Sequence, residues 1–467
     1  MSTVTGSLAQ AARAELAQQG FAGELIGPDD AGYDEARKVY NAMIDRKPAV
    51  IARCTSASDV AAVIGFARIH DAPLAVRGGG HNGAGLGVVD DGVVIDLSQI
   101  NSVEVDADAR TVRVGGGAKL SEVDAATHEK GMATPFGIFG STGVGGLSLG
   151  GGIGHLSRQY GLTVDNLLEA EVVLADGRTV RASADENSDL FWALRGGGGN
   201  FGVVTSFLFR TYPVAMVNAG PTFWALEQAT EVLQAYREFI PAADRELNGF
   251  FAFLTVPPVP LFPEELHLKK VAAVIWCHTG SEEDAAEAIA PMLEVGTPLL
   301  HAVGQMPFPA LQGLFDPLLP TGLQWYWRAD FVRELPDEAI ARHAEAAEKM
   351  PVGGSQMHMY PIDGAVHDVG STDTPFSYRD VTWAEVIVGV DPEPANAGMI
   401  RDWTVDYWEA THPYSAGGAY VNFMMDEGQE RVQATYRDNY PRLAQIKAKY
   451  DPENTFRVNQ NIRPAGS

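Results

Sequence analysis

His81 is the residue whose setting most strongly suggests chemistry. It sits in the stretch Leu74-Ala-Val-Arg77-Gly-Gly-Gly80-His81-Asn82-Gly83. Gly78, Gly79 and Gly80 lack the Cβ that would hold a ligand off the backbone, so their N–H groups can cradle a pyrophosphate. Arg77 adds a permanent positive charge suited to phosphate oxygens. His81 stands beside this cradle with no evident structural task. It can be a hydrogen-bonded loop residue or a reactive group.

Three further glycine clusters accompany the first. Fifty glycines in 467 residues exceed the usual roughly 7%, and they gather at 78–87, 115–117, 143–154 and 196–202. Two segments match G-x-G-x-x-G: Gly78/Gly80/Gly83 and Gly197/Gly199/Gly202. That pattern marks a dinucleotide site only where a helix follows, because the helix N-terminus holds the pyrophosphate. Gly83 leads into a turn and a strand. Gly202 leads directly into the strand-like Val203-Val204-Thr-Ser-Phe-Leu-Phe. A nicotinamide-binding Rossmann site is therefore excluded. The longest cluster, Gly140-Ser141-Thr142-Gly143-Val-Gly-Gly146-Leu-Ser-Leu-Gly150-Gly151-Gly152-Ile-Gly154-His155, offers amides, the adjacent hydroxyls of Ser141 and Thr142 and a terminal histidine. The turn at Gly161–Asn166 can bring Asp165 near it.

Around these loops the pattern predicts short strands at 49–53, 74–76, 93–97, 111–114, 168–174, 180–182 and 202–210. Ser56 caps a helix that carries Val60, Val63, Ile64 and Ala67 on one face. A second helix is expected at 121–131, and Ala175-Asp-Gly-Arg178 reads as a hairpin turn. No regular βαβ rhythm emerges, so the region is α+β. From about 214, strand-like pieces at 250–255, 271–277, 324–331, 356–360 and 384–390 alternate with helices at 226–239, 281–294 and 337–349. This predicts an antiparallel sheet covered on one side by helices. A helical tail begins at 431 and ends in the polar string Arg457-Val-Asn459-Gln-Asn461.

At 467 residues the chain exceeds one ordinary core. Its 60 acidic against 34 basic residues, net −26, argue against nucleic acid or an anionic membrane as partner. An anionic ligand must be held by a local site. Cys54 and Cys277 read as two buried reduced thiols. No signal peptide and no run of 18 apolar residues is evident, which points to the cytoplasm. No His/Cys/carboxylate cluster has metal-ligand spacing, so no metal is expected.

Together the motifs resemble the FAD-linked oxidoreductases of the vanillyl-alcohol oxidase superfamily, in the berberine-bridge-enzyme-like branch. The resemblance covers about 48–213 and 413–464. It rests on Arg77-Gly-Gly-Gly-His-Asn82, Thr142-Gly-Val-Gly-Gly-Leu-Ser-Leu-Gly-Gly-Gly-Ile-Gly154, Asp189-Leu-Phe-Trp-Ala-Leu-Arg195-Gly-Gly-Gly-Gly-Asn200-Phe-Gly202, Tyr420-Val-Asn-Phe423 and Tyr450-Asp-Pro-Glu-Asn-Thr-Phe456.

The resemblance implies a discontinuous FAD-binding domain of two subdomains, from 1–213 and 413–467, and a substrate domain at 214–412. It implies a flavin joined through its 8α-methyl to His81. The phosphate and ring contacts would come from Arg77–Gly80, Asn82, Gly83, Ser141–Gly143, Gly146, Gly150–Gly152, Gly154, His155, Asp165, Gly202–Val204, Asn422, Asn459 and Asn461. Many relatives carry a second, cysteinyl link four residues before the glycine matching Gly143. Phe139 stands there, so a single link and a more enclosed site are expected. Thr142 occupies the position resembling the oxygen gate, which favours an oxidase giving H2O2 from O2. A dehydrogenase with another acceptor and a flavin-binding protein without turnover are the alternatives.

The expected substrate is a small alcohol, amine or activated C–H. By the resemblance Tyr420 is the candidate base, with its high ordinary pKa of ~10 lowered by positive charge or the flavin. His358, alternating with apolar residues, and Arg379 are candidates for substrate contact, as is an aromatic wall at Trp325-Tyr-Trp327. A structural role competes with each of these.

Overall fold

The computed structural model describes residues 2–351 and 353–466. Three sheets follow one another along the chain. The first is four-stranded, in the order Glu24–Ile26, Val50–Arg53, Val93–Asp96, Leu74–Arg77. Its outer pair at Glu24 is antiparallel and the other two pairs are parallel. Helix Ala57–Ile69 makes the crossover. Ser56 caps it by accepting the Asp59 N–H at 3.2 Å, and Val60, Val63, Ile64, Phe66 and Ala67 are buried. A single βαβ unit thus exists, but no helix follows the glycine loop after Leu74–Arg77.

The second sheet is antiparallel throughout, in the order Val103–Asp106, Thr111–Gly115, Val203–Arg210, Leu167–Val173, Thr179–Ser183. The hairpin at 175–178 closes with the Leu174 N–H on the Arg178 carbonyl, and Gly177 takes a φ of 85° that suits glycine. The helix expected at 121–131 is Leu120–His128. An unexpected one, Val144–Gly150, lies inside the longest glycine cluster. Glycine disfavours helix, yet here it permits contact. A Cβ on Gly145 would stand 2.7 Å from the Gly116 carbonyl oxygen.

The third sheet has eight strands, and every strand pair in it is antiparallel. Strands Met216–Ala225, Pro298–His301 and Gly304–Pro307 join the five expected from the sequence. Period-two alternation divides its faces. Phe251, Phe253, Val274, Met357, Met359 and Ile387 pack with the covering helices. Phe250, Ala252, Ile275, Trp325, Tyr360 and Val386 join the core that faces the first two sheets. Both faces are buried, so these strands read as nearly continuous apolar runs. Helix Ala397–Thr411, also unexpected, packs against Gln324–Val332 and Trp383–Asp391.

The C-terminal helices Gln429–Tyr436 and Tyr440–Tyr450 return the chain to the glycine loops. Lys447 fixes this return. Its buried ammonium donates to Asp451 Oδ2 at 2.6 Å, the Asn200 carbonyl at 2.7 Å and the Phe456 carbonyl at 3.0 Å. Asp451 also accepts the N–H groups of Thr455 and Phe456. Removing one partner of such a buried pair leaves an uncompensated charge. Lys447→Met should therefore lower stability by about 3–5 kcal/mol, read as a fall in the urea midpoint. Lys447→Met/Asp451→Asn should recover part of the loss. A single variant that unfolds like the parent would show the pair to be dispensable.

Candidate active site

The loops after Leu74–Arg77 and before Val144–Gly150 meet backbone to backbone. A Cβ on Gly79 would lie 2.3 Å from Gly143 N, and one on Gly143 would lie 2.2 Å from Gly79 N. Only glycine fits on either side. Neighbouring bonds hold the second loop: the Leu120 N–H donates to the Thr142 carbonyl and the Val144 N–H to the Ala118 carbonyl, both at 2.9 Å. Beside this contact lies a cavity of about 320 Å³.

The cavity collects residues from all three sheets and the C-terminal segment. Arg77, Gly78, Gly79, Gly80, His81 and Asn82 line it from the first loop. Thr142, Gly143 and Gly146 line it from the second, and Gly202, Val203 and Val204 from the strand after the third cluster. Tyr420, Asn422 and Asn459 come from the C-terminal segment, and His358 with Trp325 and Trp327 from the large sheet.

Other expected residues stand behind its walls. Gly83 is covered by the Trp327 ring, 2.7 Å from where a Cβ would be. Ser141 gives its N–H and hydroxyl to Asp316. Gly150 backs onto the Asn422 amide, Gly151 onto Phe376 and Tyr420, and Gly154 onto the Phe136 carbonyl. Gly152 acts at one remove, by donating its N–H to Tyr420 Oη. His155 is buried near Phe250, with ring centroids 6.1 Å apart. Asn461 holds Gln429 through its carbonyl.

Two charge expectations, Asp165 and Arg379, are corrected. Asp165 and Arg379 form a two-pronged ion pair, 2.7 Å on each prong. Arg379 gives its other donors to Phe376, Val366 and Thr374, so all five N–H groups are used and none is left for a substrate. Asp165 is likewise occupied within the fold. Arg77 does reach the cavity, but it is buried against Asp96 at 2.8 Å. The guanidinium also holds the Asp96 carboxyl below its usual range against the opposing effect of burial. The pair is neutral as a unit, so the backbone amides are left as the main feature to meet an anion.

His81 stacks on Tyr40, with centroids 4.0 Å apart and planes 18° apart. Its Nδ1 is 3.5 Å from Thr142 Oγ1. Burial pushes its pKa down to about 4, so the imidazole is neutral near pH 7 and keeps a nucleophilic nitrogen. Tyr420 Oη receives hydrogen bonds from the Gly152 N–H and from Asn422 Nδ2, both at 2.8 Å. Of the two expected causes of a lowered pKa, a neighbouring cation is not among its surroundings. Burial pushes it up to about 12, and the hydrogen bonds it accepts only partly offset that. His358 is buried with its pKa pushed down to about 3. Its Nδ1 lies 2.5 Å from Tyr360 Oη and its Nε2 2.8 Å from Gln356 Oε1.

Tyr40, Gln356, Tyr360, Gly199 and Gln460 line the cavity as well, and the sequence reading missed them. The period-two spacing of Gln356, His358 and Tyr360 was the available signal for two of them. Nothing near Tyr40 in the sequence points to it.

The wall suits a flavin nucleotide. A Cβ on Gly146 or Gly199 would meet no protein atom within 4 Å. Asn459 Oδ1 is buried there without a partner. These features leave backbone exposed to the cavity and an acceptor unfilled, as a bound ring with N–H groups requires. No thiol lines the cavity. Cys54 and Cys277 are buried elsewhere, and Phe139 occupies the wall instead. Among the described residues, no group of three or more His, Cys, Asp or Glu could hold a metal ion. No described helix is long and apolar enough to cross a membrane.

Comparison with known proteins agrees with this geometry. An FAD binding domain model matches residues 48–183, and a model for berberine and berberine-like proteins matches 419–463. An FAD-linked oxidoreductase of Dictyostelium discoideum is 30% identical over 429 residues, 91% of each chain. The (R)-6-hydroxynicotine oxidase of Paenarthrobacter nicotinovorans is 30% identical over 466 residues, 95% of this chain and 97% of its own. Among solved structures, 6-hydroxy-D-nicotine oxidase from Arthrobacter nicotinovorans superposes with a TM-score of 0.84 at 27% identity, covering 95% of this chain and 98% of that one. A glucooligosaccharide oxidase from Acremonium strictum does so at 0.85 and 25%, covering 97% and 98%. With the two family models, the 30% identical relatives and the superposed fold in agreement, the chain belongs to the FAD-linked oxidoreductases of the vanillyl-alcohol oxidase superfamily, in the berberine-bridge-enzyme-like branch, and is an FAD-dependent oxidoreductase.

Proposed function

We propose that this protein is an oxidase carrying FAD on a single covalent link, from His81 to the 8α-methyl. In this reading 1–213 and 413–467 form the flavin domain, and 214–412 covers the substrate. The observation that carries the reading is the placing of a neutral, stacked His81 and the small Thr142 on one cavity wall that offers no thiol. A relative in the same fold, the glucooligosaccharide oxidase, bears a 6-S-cysteinyl, 8α-N1-histidyl FAD. Here the cysteinyl partner has no candidate. The bound flavin supplies the two-electron acceptor for a substrate hydride, and O2 then takes the electrons as H2O2.

The substrate class follows from the walls. Trp325, Trp327, Val386, Val388 and Phe423 make part of the lining apolar, and the lining includes no Asp, Glu or Lys. An ion would lose hydration here without gaining a partner. The substrate is therefore an uncharged, ring-bearing alcohol or amine that stacks on tryptophan and reaches the polar tyrosines with one O–H or N–H. Tyr420 meets that polar group beside the flavin.

Acid-precipitated wild type should retain its yellow colour, and His81→Ala should release it. A wild type that releases all its flavin would sink the covalent reading. Only the neutral imidazole can attack. Flavinylation of apoprotein mixed with FAD should therefore be flat through neutral pH and fall as pH drops through about 4, followed by the fraction of flavin surviving acid. Thr142→Leu should slow reoxidation of photoreduced flavin by air while leaving its reduction unchanged. If air reoxidises the wild type sluggishly and forms no peroxide, the oxidase assignment fails and another acceptor must serve.

A further inference from the structure

Three tyrosines line the cavity: Tyr40 donates its hydrogen to the Leu319 carbonyl, which cannot pass a proton on, and the hydrogen bonds of Tyr360 and Tyr420 run in opposite senses. A neutral phenol has two acceptor positions and one donor. On Tyr420 both acceptor positions are taken, by the Gly152 N–H and Asn422 Nδ2. What it has left to offer is its own hydrogen. Tyr360 is arranged the other way round. Gln356, His358 and Tyr360 stand at alternate positions of strand Gln356–Pro361, so all three share the cavity face. Gln356 Oε1 accepts from His358 Nε2 at 2.8 Å, which places the ring hydrogen on Nε2 and leaves Nδ1 bare. Tyr360 must then donate its hydrogen to Nδ1, at 2.5 Å. The lone pairs of its oxygen are left for the cavity. Phe423 contacts both phenol rings, with its centroid 4.8 Å from Tyr420 and 5.7 Å from Tyr360. Both phenols line the same cavity.

The geometry points to Tyr360, oriented by His358 and Gln356, as the group that accepts the substrate proton, with Tyr420 as the hydrogen-bond donor that holds the substrate oxygen. The inference rests on the oxidase reading above. As the substrate C–H leaves with its electron pair for the bound flavin, the substrate O–H breaks and its proton joins Tyr360 Oη. The former Tyr360 proton passes to His358 Nδ1, and a carbonyl product forms. Reduction of O2 to H2O2 consumes the hydride and one proton, which returns along the same line. His358 and Gln356 are positioning residues, because they act through Tyr360. Burial disfavours a charged His358, so the line stays uncharged at rest and accepts a proton only while negative charge develops beside it.

Phenol and anisole test this without turnover. They share a flat ring and an ether-or-hydroxyl oxygen, but only phenol can donate. Binding of each to the holoenzyme is followed through the flavin absorption spectrum. Wild type should prefer phenol by roughly tenfold, the worth of one donated hydrogen bond. Tyr420→Phe should weaken both ligands and keep the preference. Tyr360→Phe leaves His358 Nδ1 bare, so the decisive variant is Tyr360→Phe/His358→Leu, in which the preference should vanish. The assignment is overturned if the preference disappears in Tyr420→Phe, survives in the double variant, or is missing in wild type that binds both ligands equally. If neither ligand perturbs the wild-type flavin, the aromatic substrate pocket itself has been misread, and the inference falls with it.

Discussion

The contact between Gly79 and Gly143 is the constraint on which the site depends. Two loops, one from each N-terminal sheet, touch at backbone distance because neither carries a side chain. Any Cβ there would force the loops apart by more than an ångström, since ordinary van der Waals contact begins near 3.4–4 Å. Their approach places Thr142 against His81. It also explains why so many glycines gather in so few places. Some meet a cavity, such as Gly146, and others meet protein backbone, such as Gly145 and Gly154.

Around this contact the protein uses buried ion pairs as clamps and keeps them out of the reaction space. Arg77 holds Asp96 beneath the first loop, Arg379 holds Asp165 below the glycine-rich helix, and Lys447 holds Asp451 where the chain returns. Each cation that the sequence offers as an anion binder turns out to be paired. A buried charge without a partner costs far more than an exposed one, so the fold neutralises each within its own framework. The result is a cavity of low charge whose polarity comes from amides, asparagines, three tyrosines and two neutral histidines. Such a lining favours hydride and proton movements in an uncharged substrate over the recognition of ionic groups.

The large sheet supplies the rest of the selectivity by strand alternation. One face is buried under helices, and the other closes over the flavin loops. A strand with both faces covered has no reason to show polar residues, so those on the cavity face stand out. Gln356, His358 and Tyr360 are consecutive members of that face and bond in one direction. The direction is set by an amide oxygen remote from the reacting position. The sheet therefore decides not only which side chains line the pocket but which way Tyr360 directs its hydroxyl hydrogen.

Much of this was legible in the sequence. The glycine clusters, His81, Phe139 in place of a cysteine, the antiparallel middle sheet and the returning tail each carry a local signal. Strand after Gly83 and Gly202, where a dinucleotide motif needs helix, was enough to discard the Rossmann reading. The sequence could not place side chains whose role depends on distant partners. Arg379 read as a free cation because Asp165 lies 214 residues away, and Tyr40 carried no signal because only folding stacks it on His81. Helix Val144–Gly150 was hidden because glycine's low helix propensity is overridden by close packing. The chain alone thus determined the cofactor class, through short motifs whose chemistry is local. The tertiary structure decided charge pairing and hydrogen-bond direction, because both depend on which donors and acceptors folding leaves unspent.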